Sequence, residues 1–255
     1  MSAIELRKVC KKFEQANKQL RNLRVLDNIS LKAKKGEFIA VFGPNGCGKT
    51  TLLNIIAGIE KSSSGSVRID GKCPALAKVG FVFQNYNESM LPWRTALGNI
   101  ELAMEGQKIS KKDRMRIAEH YLKKVGLSRH KNKYFYELSG GMKQLIAICR
   151  AFAYDPDILL MDEPFSSLDY STTRKMELEL LNVWRETAKT TIFVSHDIDE
   201  AVFLADKVIV FSKRPARVKG IIEIDLPRPR KLEMLSSKAF IRIRNKMLRL
   251  SEYET

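Results

Sequence analysis

The sequence predicts an α/β fold in which a parallel-rich sheet is interrupted by a helical insertion. Three observations carry this. A short apolar run at 37–42 enters a glycine-rich turn with a helix behind it. Strand and helix signals alternate again between 158 and 211. The stretch at 87–152, between those two halves, is mostly helical in pattern.

Taken in order, EFIAVF at 37–42 has the length and apolarity of a buried strand, and residues 51–58 read as a helix closed by Gly58. Short strands follow at 67–70 and 79–83, separated by Gly71 and Pro74. Residues 110–125 are polar and helix-prone, with Ser110 and Asp113 spaced as a capping box. Leu145, Ile148, Cys149 and Phe152 fall at i, i+3, i+4, i+7, so an amphipathic helix follows Gly141. Residues 158–161 form a buried-type run, and Met176, Leu180, Val183 and Trp184 mark a helix. Further strands are expected at 191–194 and 208–211. Beyond Ser212, Arg-Pro pairs at 214–215 and 228–229 bracket a β-like GIIEIDL, and Phe240, Ile243, Met247 and Leu250 point to a terminal helix. The expected organisation is a core of 1–86 and 153–212, a helical subdomain at 87–152 and a tail at 213–255.

At 255 residues, 44% apolar and 29% charged, the chain can bury a substantial core and is not of disordered composition. Its longest apolar runs are a handful of residues, whereas a membrane span takes about 20, so no crossing is expected. The opening MSAIELRKVCKKFE lacks a secretory apolar stretch, so export is not expected. Cys10, Cys47, Cys73 and Cys149 show no CxxC or zinc spacing and are read as reduced thiols of a cytosolic protein. The formal charge of +16 is uneven, at +7 for 1–35, +8 for 107–133 and +7 for 212–255, against 0 for 36–106 and −6 for 134–211. These basic segments are either solvated faces or surfaces for an anionic membrane, an acidic partner or nucleic acid, and charge alone does not separate them.

The sharpest chemical signal is GPNGCGKTT at 43–51, which fits G-x-x-x-x-G-K-[ST] between a strand and a helix. Gly43, Gly46 and Gly48 let backbone N–H groups turn inward around phosphate oxygens, at the positive end of the following helix. Lys49 adds a cation for the β- and γ-phosphates, and Thr50 offers a hydroxyl to Mg²⁺. The pattern implies a nucleoside triphosphate. In ILLMDEP, Asp162 closes an apolar strand where its carboxylate suits Mg²⁺, and Glu163 beside it is placed to orient or deprotonate an attacking water. In LSGGMKQ at 138–144, Ser139, Gly140 and Gly141 open a helix and form a second phosphate-binding N-terminus.

These motifs, with Gln84 after a strand, SSLD at 166–169 and His196 after TIFVS, lie in an order that resembles the nucleotide-binding subunit of an ATP-binding cassette (ABC) transporter over about residues 4–212. The resemblance implies a P-loop NTPase core with a parallel-rich sheet, an N-terminal antiparallel β part and a helical subdomain. It implies ATP and Mg²⁺, and a head-to-tail dimer of two copies with ATP at the interface. Gly43, Pro44, Asn45, Gly46, Cys47, Gly48, Lys49, Thr50 and Thr51 of one copy would cradle an ATP that faces Ser139, Gly140, Gly141 and Gln144 of the other. Thr50, Gln84 and Asp162 would hold the metal, with Gln84 also sensing a membrane partner. Glu163 would be the catalytic base, His196 would hold the γ-phosphate and Asp169 would bridge the subunits.

Phe13 matches the family's adenine-stacking aromatic, or is a plain core residue; the polar stretch 15–24 behind it is longer than the minimal family pattern. Leu145 stands where the family commonly has a basic residue. Cys47 is either a spacer or a thiol whose alkylation blocks nucleotide binding. The segments at 87–100 (NESMLPWRTALGNI) and 211–230 are similar to those of nitrate, sulfonate, taurine and bicarbonate importers, with Trp93 either an apolar anchor for a permease or packed inside the insertion. The expected partners are a second copy, an integral membrane permease and, indirectly, an extracytoplasmic solute-binding protein, at the cytoplasmic face of the membrane. A nucleic-acid- or ribosome-associated cassette ATPase is the alternative; such relatives usually carry coiled coils or tandem cassettes, which this length does not hold, and no nucleic acid is expected.

Overall fold

The structure, a computed structural model, describes residues 2–14, 23–85, 89–166 and 168–252. It divides into two compact units, one of residues 1–77 with 189–255 and one of residues 78–188. The chain opens with β1 (Ser2–Phe13), β2 (Leu23–Lys34), β3 (Phe38–Phe42), α1 (Lys49–Ile56) and β4 (Ser64–Ile69). The second unit holds β5 (Val79–Val82), α2 (Ala96–Glu101), α3 (Lys111–Lys124), α4 (Gly140–Ala153), β6 (Ile158–Asp162) and α5 (Tyr170–Thr187). The first unit resumes with β7 (Thr190–Ser195), α6 (Ile198–Leu204), β8 (Lys207–Phe211), β9 (Val218–Glu223) and α7 (Lys238–Glu252).

In the first unit β3 lies between β7 and β8, parallel to both, and β9 adds an antiparallel edge to β8. Every residue of β3 and β7 is buried, which is why both read as continuous apolar runs rather than alternating ones. A separate antiparallel sheet, β2-β1-β4, carries the N-terminal segment. Along β2 the burial alternates, with Ile29, Leu31 and Ala33 inside and Ser30, Lys32 and Lys34 outside, so the basic residues of 23–34 are the solvent face of a strand. The register of β1 on β2 shifts between Leu6 and Val9, where Lys8 takes a positive φ of 49°. Asp27 N–H donates to Ala216 O at 2.9 Å and Ala216 N–H to Val25 O at 2.8 Å, tying β2 to the loop after β8. The terminal helix is real: Phe240, Ile243 and Met247 are its buried face. Its Leu250 seats on β9, where a Cβ on Gly220 would lie 2.7 Å from Leu250 Cδ2.

In the second unit β5 and β6 pair in parallel, with Val82 opposite Met161. This unit is wider than the helical stretch 87–152, because β5 and α5 also pack on α4 and β6 pairs with β5. Ser110 caps α3 as its spacing predicts, accepting from Asp113 N–H at 3.1 Å. Lys111, Lys112 and Lys123 are exposed on α3 and Lys124 pairs with Glu186, so this basic run is a solvated helix face. The α4 helix is more deeply set than one amphipathic face requires, with all of 144–149 buried. Asn99 is fully buried and braces the turn at 91–95: Leu91 N–H donates to its Oδ1 at 2.9 Å and its Nδ2 donates to Leu91 O at 3.0 Å. Trp93 on that turn is 69% exposed, which removes the reading that it packs inside the insertion. Asn87 and Glu88 of the same motif, Ser167 and residues 15–22 lie outside the described residues. Among the described residues, no helix is long and apolar enough to cross a membrane.

Within α5, Arg174 and Glu177 form a 2.8 Å ion pair with side chains only 6% and 0% exposed. Glu177→Ala leaves the guanidinium buried without this carboxylate and is expected to cost about 3–5 kcal/mol, whereas the paired Arg174→Met/Glu177→Leu replacement is expected to stay near wild type. Urea unfolding midpoints of the two variants check this; equal midpoints contradict it.

Candidate active site

The glycine-rich loop leaves the apolar strand β3 and feeds α1, as its sequence requires. Gly43 passes tightly beside β8, where a Cβ would lie 3.0 Å from Phe211 Cβ. Gly48, the N-cap of α1, holds φ +124°, and a Cβ there would meet Val25 Cγ1 at 2.8 Å. Gly48 therefore favours glycine on both steric and backbone grounds, while at Gly43 a Cβ would fit only if Phe211 gave way by a few tenths of an ångström. Pro44, Asn45, Gly46 and Thr50 are exposed and Thr51 is half-buried. No side chain caps α1 and no acid sits in its first turn, so its leading N–H groups and positive dipole end are available to an anion. Lys49 is 5% exposed, and its Nζ donates to Gly43 O at 2.8 Å and Pro44 O at 3.3 Å, which fixes a buried positive charge under the loop. Such an arrangement suits phosphate oxygens.

Elsewhere in the same unit, His196 follows β7 on a backbone pinned on both sides. Ser195 Oγ donates to Glu200 Oε2 at 2.7 Å, Asp197 N–H donates to Ser195 Oγ at 2.9 Å, and Asp197 Oδ1 accepts from Glu200 N–H at 3.0 Å to cap α6. The imidazole itself is exposed. Phe13, at the end of β1, is 36% exposed with Lys11 Nζ 4.5 Å from its ring centre, so the plain-core reading falls. Cys47 is 1% exposed, its Sγ 3.2 Å from where a Gly43 Cβ would be, so it faces inward. Of the two readings of Cys47, this burial favours the spacer over the thiol open to alkylation.

In the second unit, Gln84 and Glu163 stand two residues beyond the paired Val82 and Met161, at the same end of β5 and β6. Asp162 is 5% exposed at the end of β6, and Gln84 is exposed. Glu163 holds a left-handed backbone with φ 42°, a conformation that costs on the order of 1–3 kcal/mol in a non-glycine residue and is typical of functional turns. Nothing in the residue types announced it. Ser139 caps α4, accepting from Met142 N–H at 3.4 Å; Gly140 is exposed and Gly141 buried. Gln144 is fully buried, and neither of its amide atoms has a hydrogen-bond partner, so it faces the interior of this unit. Asp169 caps α5: its carboxylate accepts from Thr172 Oγ1 at 2.6 Å, Thr172 N–H at 3.0 Å and Ser171 Oγ at 2.8 Å. Those hydrogen bonds, the Thr172 hydroxyl first, hold it well below the usual carboxylate range. This duty was missed in the sequence, although Asp three residues before Thr at a helix start is a capping signal.

Thr50, Gln84 and Asp162 offer only oxygen donors, and among the described residues no three His, Cys, Asp or Glu converge as a metal cage. A few protein oxygens with phosphate and water completing the shell is the donor set that suits Mg²⁺.

The family profile described as "ABC transporter" matches residues 26–166. A Methanocaldococcus jannaschii protein called uncharacterized ABC transporter ATP-binding protein MJ0412 is 46% identical, over 91% of this chain and 86% of its own length. The nitrate import ATP-binding protein NrtD of Synechococcus elongatus is 42% identical over 82% of this chain and 77% of its own. An aliphatic sulfonates import ATP-binding protein, SsuB of Bacillus cereus, is 38% identical over 98% and 96%. Among solved structures, the dimeric bacterial ABC transporter cassette MJ0796 superposes with a TM-score of 0.75 at 33% identity, covering 88% of this chain and 100% of that one. The same cassette as a dimer in a post-hydrolysis state, bound to ADP and Pi, gives 0.74 at 32% identity, with the same coverage.

Two outcomes test the cradle. Lys49→Ala is expected to raise the Kd for ATP about tenfold or more, read by equilibrium titration, and unchanged affinity contradicts the phosphate role. Brief maleimide treatment of the folded chain is expected to label the exposed Cys73 while sparing Cys47 and Cys149, whose thiol burial pushes up, and to leave ATP binding intact; peptide masses report the labelled sites. A profile match across more than half of the chain, joined to relatives that cover nearly all of it, places the chain in the ABC transporter family, as one of its ATP-binding, ATP-hydrolysing members.

Proposed function

We propose that the chain is the ATPase subunit of an importer for a small oxyanion or sulfur compound of the nitrate, sulfonate or taurine kind. It works as a head-to-tail dimer at the cytoplasmic face of the membrane, beneath a separate permease supplied by an extracytoplasmic solute-binding protein. The observation that carries this is the kinship to nitrate and aliphatic sulfonate import ATP-binding proteins, at 42% and 38% identity over most of the chain. The exposed Trp93, on a turn braced by Asn99, supports it by offering an apolar anchor for a permease segment.

In this reading residues 43–51 hold the triphosphate, with Lys49 countering the charge on the β- and γ-phosphates and Phe13 against the adenine. Thr50, Asp162 and Gln84 hold Mg²⁺, which when bound neutralises phosphate charge. Glu163 takes a proton from the attacking water, its strained backbone fixing where the carboxylate points. His196 donates to the γ-phosphate from its pinned turn. Ser139, Gly140 and Gly141 present the N-terminal dipole end of α4 to the nucleotide held by the other copy, and Asp169 lies at the same interface. The buried Gln144 acts from behind, by packing α4. Each ATP touches both copies, so ATP favours the closed dimer by differential contact and hydrolysis reopens it.

Glu163→Gln is expected to keep ATP binding, lose about 10²–10⁴-fold in turnover and accumulate as an ATP-bound dimer in size-exclusion chromatography at low salt. A variant that stays monomeric with ATP contradicts the sandwich.

A further inference from the structure

We infer that Thr172 is a positioning residue that joins the Asp169 turn and the signature glycines into one piece within the second unit. One side chain addresses both. Its Oγ1 donates to Asp169 Oδ2 at 2.6 Å while its backbone N–H donates to Oδ1 at 3.0 Å. Its methyl, Cγ2, lies 3.1 Å from where a Gly141 Cβ would be, with Met176 Sδ next along α5 at 3.9 Å. Gly141 is buried, and among the described residues the heavy atoms nearest to such a Cβ outside its own helix are those of Thr172 and Met176, so a methyl group there would meet α5.

The space between Gly141 and α5 has no slack for a second methyl. An atom added at Gly141 must push Thr172 by a few tenths of an ångström, and Thr172 cannot yield without moving the carboxylate it holds. Asp169 is fixed by three donors, the Thr172 hydroxyl and N–H and the Ser171 hydroxyl, so its carboxylate cannot shift without them. A shift in either loop is therefore shared by the other. This inference rests on the proposed sandwich, in which both loops meet the second copy, and it adds that they engage together.

The test is a methyl exchange in the Glu163→Gln background, with the ATP concentration for half-maximal dimerisation as the readout and thermal midpoints recorded alongside. Thr172→Ser keeps the hydroxyl but drops the methyl, and Gly141→Ala adds a methyl that overpacks. Each is expected to raise the half-maximal ATP concentration about fivefold, and the double variant, with one methyl again in the gap, to return within about twofold of the parent. A helix cap with no positioning role predicts instead that Thr172→Ser matches the parent and that the double variant is no better than Gly141→Ala, which overturns the inference. If Gly141→Ala does not fold, Thr172→Ser alone decides: a fivefold shift at an unchanged thermal midpoint supports positioning, and no shift overturns it. A Glu163→Gln parent that never dimerises removes the sandwich itself, a failure distinct from that of Thr172.

Discussion

The burial of the Lys49 ammonium beneath its own loop is the constraint on which the rest of the structure depends. A cation at 5% exposure is tolerated because the Gly43 and Pro44 carbonyls accept its hydrogen bonds; in the proposed function a polyphosphate answers its charge. The geometry follows from what surrounds it. The loop approaches β8 at Gly43 and β2 at Gly48 so closely that a Cβ at either would crowd its neighbour, and Gly48 adds a left-handed φ. It springs from β3, a strand buried on both faces between two parallel neighbours, which fixes where the loop begins and leaves α1 aimed along its dipole. The antiparallel sheet is part of the same support, since Val25 and Leu26 of β2 form the wall behind Gly48.

The second unit repeats the physical idea with different parts. Ser139 caps α4 and Asp169 caps α5, so each helix begins at a residue that also belongs to a family motif. The same hydrogen bonds that stop these helices from fraying hold the loops in front of them. Strain sits at one place among these residues, Glu163, where a non-glycine left-handed backbone directs a carboxylate just past the end of β6. Placing the strain there, beside a buried strand that can hold it, is consistent with a residue whose orientation matters more than its stability.

Legibility from sequence followed the range of the interactions involved. The phosphate loop, β3, α4 and α7 were readable because local spacing or an unbroken apolar run specifies them. Helix α1 begins at Lys49, two residues before the expected 51, because Gly48 acts as the cap through its φ rather than through a side chain. The strands β1 and β2 were expected only through the family resemblance, because their charge hides them from the residue pattern. The alternation of Ile29, Leu31 and Ala33 with Ser30, Lys32 and Lys34 is a period-two signal, yet the segment registered first as part of a basic run. The edge strand β9 pairs antiparallel to β8 through a short connection, which strand–helix alternation does not anticipate. Cys47 and Phe13 were left between two readings each because burial is a long-range property: the fold leaves the first 1% exposed and the second 36%. The Thr172–Gly141 contact was beyond reach, since it joins residues about thirty apart through helix packing.

The central claim is that this ATPase drives a membrane permease. Its most direct measurement is a tagged pull-down of the chain from detergent-solubilised membranes of the native host, after nuclease treatment, with co-purifying proteins identified by mass. The account predicts a multi-span permease in stoichiometric amount with the ATPase. Recovery of ribosomal or DNA-repair proteins, with no permease, would contradict it and make the basic periphery the functional surface.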